Sequence, residues 1–175
     1  MQNLPSPEHC AFLASFDHHG DATVIMWNAL IGLMYGIGAN PREISNLLWR
    51  DGVRTDNGRW TLTFRGRRGA RTVPVLTWSA ERLTEHAVAM EPLRPTDRIF
   101  TRAGSEIGGA LVIKELHRRS SVIGLSPAAS PTTIHRACIR DLIAAGMALE
   151  DVADLIGAKD LAHFGKLVKS LFRIT

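Results

Sequence analysis

Arginines fall in groups along this chain, and their spacing suits phosphate recognition. Arg65, Arg67, Arg68 and Arg71 crowd the run RGRRGARTVPV. Thr132, Arg136 and Arg140 follow one another at four-residue intervals, which places them on one face of a helix. Lys114, His117, Arg118 and Arg119 make a further basic group. A guanidinium binds two oxygens of one phosphate at once, so such groups can grip a polyanion and stabilise charge on it. The formal net charge of +4 favours a polyanionic partner without requiring one. The candidate contacts are Arg42, Arg65, Arg67, Arg68, Arg71, Arg118, Arg119, His135, Arg136 and Arg140. For a single arginine, a solvated face is the simpler explanation; the argument rests on the clusters.

Other chemistries have less support. Asp17, His18, His19 and Asp21 invite a metal reading, but adjacent histidines do not share a helix face, and a polar loop around Gly20 needs no ion. No metal or cofactor is assigned. Cys10 and Cys138 are far apart in apolar helical surroundings, giving neither a zinc spacing nor a disulfide framework, and both are expected as core thiols. No apolar run approaches the roughly 20 residues needed to cross a bilayer, and the N-terminus has no basic start followed by an apolar block, so a cytoplasmic protein is expected.

The elements that must carry these residues are readable in outline. At 175 residues and 45% apolar, the chain can build one domain with a real core. Ser6-Pro7-Glu8 opens a helix running to about Ser15. Val24, Trp27, Leu30, Ile31 and Met34 set the buried face of a second, from Ala22 to Ile37. Asn40-Pro41-Arg42-Glu43 is a capping box that starts a helix burying Ile44, Leu47 and Leu48. Alternation at Trp60, Leu62 and Phe64, then at Val73 and Val75, predicts a β-hairpin with a basic tip, joined by a strand at Gly52 to Arg54 across the turn at 56–58. Helices follow from Trp78 to Met90 and from Gly109 to Ile123, separated by the proline-broken linker EPLRPTDRIF. Ser130-Pro131 caps a helix with the stripe Ile134, Ala137, Cys138 and Leu142. Leu149 to Ile156 is short, and Leu161, Phe164, Val168 and Leu171 repeat the helical spacing to the end. The expected fold is mainly α with a small antiparallel β-sheet, as one domain over 1–175.

This order, with several phrases inside it, resembles the catalytic domain of the tyrosine recombinases, the phage integrase and Xer-like family. MYGIGANPREISNLLWRDG is similar to that family's first box, RGRRGARTVPV to its hairpin, and TTIHRACIRDLIAAG with LEDVADLIGAKDL to its second box. The resemblance implies attack of a tyrosine hydroxyl on a DNA phosphate, with arginines and histidines holding the phosphate oxygens and a hairpin lysine as general acid. It also implies double-stranded DNA as the partner. Carried over by position, however, the family's first arginine falls on Asn40, and its second-box histidine and arginine fall on Thr132 and His135. The next histidine falls on Arg136, the Leu-Gly-His histidine on Ala158, and the tyrosine near Leu167; the chain's one tyrosine is Tyr35.

Neither neighbouring arginine repairs this. Arg42 lies two positions along its helix, roughly 200° around the axis. Moving Arg136 into register would displace the stripe that begins at Ile134. Asn40 is therefore read as an N-cap in an arginine's place. A cap contributes about 1 kcal/mol, whereas one lost transition-state donor typically costs about 3 kcal/mol of barrier.

The sequence thus suggests a catalytically inactive DNA-binding protein with an integrase-like fold, accessory or regulatory in recombination or in mobile-element or plasmid DNA transactions. No counterpart of the family's N-terminal DNA-clamping domain is read in 1–175. Two alternatives stay open. One is a strand-transfer or nicking enzyme with a displaced nucleophile, Ser170, Ser126 or Tyr35. The other is a protein-interaction module, with the C-terminal helix joining a second copy or an active recombinase. A helix-turn-helix reading of RDLIAAGMALEDVADLIG ranks below these, because phosphate would repel Glu150, Asp151 and Asp154 on its second helix.

Overall fold

A computed structural model describes residues 4–66, 69–158 and 160–172. The first helix, α1 (Pro7–Leu13), is capped by the Ser6 hydroxyl, and α2 (Ala22–Gly36) by the Asp21 carboxylate. Almost every residue of α2 from Ile25 onward is buried, so it is a central helix and not the one-sided helix its spacing predicts. It packs against α4 (Thr77–Ala89), α6 (Pro131–Ala144) and α1. Close approach to α4 depends on Gly36: a Cβ there would sit 2.0 Å from Ser79 Oγ, whose hydroxyl donates to the Gly32 carbonyl at 3.0 Å.

The sheet has the order β1 (Gly52–Arg54), β2 (Trp60–Gly66), β3 (Gly69–Pro74), all antiparallel. Trp60, Leu62, Phe64 and Val73 point into the core, as the alternation requires. Gly66 pairs with Gly69, so Arg65 stands at the far end of the hairpin and Trp60 at its base.

Three further helices are α5 (Gly109–Val122), α7 (Leu149–Ile156) and α8 (Leu161–Phe172). The second-box stripe Ile134, Ala137, Cys138 and Leu142 is buried as expected, and so are both cysteines.

Several expectations need correction. The helix opened at Asn40, α3, ends at Ser45, because the segment expected as a linker takes the next backbone groups. Ile99 N–H donates to the Leu47 carbonyl at 3.0 Å, and the N–H groups of Trp49 and Arg50 donate to Asp97 and Pro95. The chain turns there through a 3₁₀ turn, Trp49–Asp51. The same linker leads into a small hairpin, β4 (Thr101–Arg102) and β5 (Ser105–Glu106), too short to show alternation. In α8 only Phe164 and Val168 are buried; Leu161, in the first turn, is 64% exposed.

Candidate nucleic-acid interface

At the place where the family resemblance puts a phosphate cradle, the side chains satisfy one another. Asn40 Oδ1 accepts from Glu43 N–H at 3.0 Å, and Glu43 Oε2 accepts from Asn40 N–H and Nδ2 at 3.1 and 2.9 Å. The capping box read from the sequence is thus complete. The other Glu43 oxygen accepts from Arg71 Nε and Nη2 at 3.2 and 3.0 Å. Arg71 lies across the Phe64 ring, 4.5 Å from its centroid, and donates from Nη1 to the Leu155 carbonyl at the end of α7. Only glycine fits beside it: Gly157 has φ +70°, and a Cβ there would be 2.8 Å from the Arg71 side chain. Arg71 therefore fastens the hairpin to α3 and α7, and its guanidinium is largely consumed in doing so.

His135 shares this neighbourhood. Its Nδ1 donates to the Gly38 carbonyl at 3.0 Å, just before the cap. Burial lowers its pKa; the bond to Gly38 and the charge of Glu43 oppose that, and the nearby Arg71 and Arg136 reinforce it. It is a neutral, positioned imidazole with its other nitrogen, Nε2, free of the Gly38 bond. Of the other positions that the sequence resemblance singles out, Thr132 is exposed on α6, while Ala158 and Leu167 are half-buried against the core.

The basic candidates divide by burial. Arg42 and Arg65 are exposed. Arg65 donates from Nε to the buried Asp51 carboxylate at 2.9 Å, yet 67% of its side chain is in solvent, so it is anchored at one point and available beyond it. Arg67 and Arg68 lie outside the described residues. Arg118 is half-exposed and bidentate to Glu115 at 2.9 and 2.6 Å. Arg136 is half-buried. Arg140 is turned to Asp141 at 2.6 and 2.9 Å and to the Pro5 carbonyl at 2.9 Å.

Arg119 does not belong with the surface candidates. It is fully buried and donates to Glu115 at 2.8 Å and to the Leu13 carbonyl and Asn28 Oδ1, both at 2.6 Å. The fold uses it to join α5 to α1 and α2. Burial alone would raise the Glu115 pKa, but the hydrogen bonds from Arg118 and Arg119 outweigh it and hold the carboxyl below its usual range.

The displaced-nucleophile candidates sit in unreactive surroundings. Tyr35 donates its hydroxyl to Asp141 Oδ2 at 2.7 Å, and burial, with that bond, pushes its pKa upward. Ser170 donates to the Leu167 carbonyl at 2.6 Å within its own helix. Ser126 is exposed in the loop before α6. Burial pushes both cysteine thiols up to about 12, leaving them protonated. In the Asp17–Asp21 loop, Asp21 caps α2, His18 meets Glu85 at 2.7 Å and His19 meets Asp17 at 3.2 Å.

Sequence reasoning located Glu43 as a cap but missed its pairing with Arg71, and missed Asp51 under Arg65. Both partners lie on other elements, and no local spacing encodes them.

No family model matches the chain, and no curated protein matches it. Solved structures do. A XerA recombinase aligns over 99% of this chain and 63% of its own, with TM-score 0.78 and 14% identity. The XerH site-specific recombinase bound to its difH substrate in a pre-cleavage complex aligns over 96% of this chain and 50% of its own, with TM-score 0.78 and 18% identity. The Tn1549 transposon integrase in complex with circular intermediate DNA aligns over 94% and 60%, with TM-score 0.72 and 14% identity. The chain spans between half and just under two thirds of those chains. Its fold is that of the tyrosine-recombinase catalytic domain.

Proposed function

We propose that this protein binds double-stranded DNA without cleaving it and acts as an accessory or regulatory factor in DNA recombination. The recombinase fold supports the DNA role, since two of the similar structures are named as complexes with their DNA. The inactive reading is supported by one observation: Asn40, which the sequence resemblance sets in place of a phosphate-binding arginine, is closed into a network with Glu43 and Arg71. An arginine already held by a carboxylate and a carbonyl offers little to a transition state. What remains for phosphate is the exposed cation set, Arg42 and Arg65, with Arg67, Arg68 and Arg136 as further candidates. Such contacts position a protein on DNA without chemistry.

The test is a nicked duplex run on native and denaturing gels. The expected result is a retarded complex on the native gel that denaturant dissolves completely. A DNA adduct surviving denaturant would instead establish a displaced nucleophile.

A second reading, docking of α8 onto a second copy or an active recombinase, is favoured by exposed Leu161 in its first turn. Truncation after Lys166 that leaves a folded protein but abolishes self-association would support it. An unchanged oligomeric state would remove it.

A further inference from the structure

The sheet treats its two edges differently. In β3, Pro74 is opposite Thr61, and proline has no N–H to offer an incoming strand. The β1 edge has no such block. Thr55 N–H donates to the Arg59 carbonyl at 2.9 Å, whereas the Trp60 carbonyl accepts from Val75 at 2.8 Å, on the β3 side. The Arg54–Trp60 pair is therefore of the non-hydrogen-bonded kind, and by the antiparallel alternation so is Gly52–Leu62. The N–H and carbonyl of Arg54 and the carbonyl of Gly52 accordingly point away from β2.

Gly52 and Arg54 line a shallow groove of about 240 Å³ together with Trp49, Trp60, Leu93 and Pro95. Its only charged lining residues are Arg50 and Arg54. Both are exposed, and neither guanidinium has an acidic partner among the described residues. The groove lies at the base of the hairpin. Trp60 and Gly66 are six positions apart along β2, a distance of about 20 Å, so this surface is separate from the basic hairpin end.

We propose that the open edge of β1 binds an extended acidic segment of a protein partner, added to the sheet as a further strand. The N–H and carbonyl of Arg54 and the carbonyl of Gly52 supply pairing, exposed Leu93 and Pro95 take an alternate side chain, and Arg50 and Arg54 select carboxylates. A second copy of this chain fits poorly, because edge-to-edge pairing would bring like arginines together. Nucleic acid fits less well than a strand, because the two tryptophan rings are almost fully buried and give no stacking face.

The experiment uses the isotopically labelled full chain and, as probe, a blocked seven-residue peptide of alternating glutamate and valine, followed by NMR. The expected result is shifts of the Gly52 and Arg54 amides. Affinity should fall roughly tenfold in Arg50→Glu/Arg54→Glu, whose unchanged melting temperature verifies its fold, and similarly when alternate peptide nitrogens are methylated. Several results would overturn the proposal. Equal binding of the methylated peptide would mean charge attraction alone, and concentration-dependent shifts at β1 without peptide would mean self-pairing. Equal shifts of the same amides by duplex DNA would mean a nucleic-acid site. No binding at all would mean that the arginines only guard the edge against aggregation.

Discussion

At the residue scale, arginines that look alike in the sequence have opposite tasks. Arg118 and Arg119 are neighbours in one basic run, yet one is half in solvent and the other fully buried with Glu115, Asn28 and the Leu13 carbonyl. Removing a buried cation strands its partners, so Arg119→Leu should destabilise by about 3–5 kcal/mol, against less than about 1 kcal/mol for Arg118→Leu. Denaturant melts of the two variants check this. Helical phase separates them, since Arg119 falls on the stripe of Val112 and Leu116 and Arg118 does not, but it gives neither the depth of α5 in the molecule nor the carbonyl that awaits Arg119. Buried histidines give a second expectation. His86 stacks on Phe100, with Nε2 at 2.7 Å from the Ile99 carbonyl, and burial lowers its pKa, as it does for His135. A depressed histidine pKa means that the unfolded chain binds the proton first. Stability is thus fully present above about 6.5, the ordinary imidazole value, and falls as pH drops from there toward the folded pKa values. Melting temperatures measured from pH 7.5 down to 5 should decline, and the decline should be shallower in His86→Phe. A flat profile would mean that neither histidine is held neutral by the fold.

At the element scale, the junction of α3, the β2–β3 hairpin and α7 is fixed by Arg71. Because the Glu43–Arg71 pair is partly buried, a double-mutant cycle with Glu43→Gln and Arg71→Met should give a coupling of about 1–2 kcal/mol, between the exposed and buried limits. Faster amide exchange at the end of α7 in Arg71→Met would show that the lock holds these elements together. Legibility differs sharply here between local and distant signals. The cap at Asn40, the start of α6 at Ser130 and the hairpin alternation were readable because each is decided within a few residues. The early end of α3 and the β4–β5 hairpin were not, because both depend on residues some fifty positions away or on strands too short to show a period. For the candidate site, the reading of Asn40, Thr132, His135, Ala158 and Leu167 as degenerate positions comes from the sequence resemblance. The structure adds that Glu43, the capping partner of Asn40, also binds the Arg71 guanidinium.

At the scale of the whole molecule, two basic surfaces stand at opposite ends of one small sheet. Arg65 marks the hairpin end, where Arg67 and Arg68 follow in sequence, and Arg50 with Arg54 marks the β1 groove. On the function proposed above, a recombinase-like fold with Asn40, Glu43 and Arg71 bound to one another meets a duplex through its outward cations alone, without regard to sequence. The most direct test of that account is the affinity of the purified protein for duplex DNA by fluorescence anisotropy across a salt series, beside Arg67→Ala/Arg68→Ala. The account predicts affinity that falls linearly on logarithmic axes, with a slope near −0.9 per phosphate contacted, and a shallower slope in the variant. Absence of binding at low salt would contradict it and would leave the fold in the service of a protein partner.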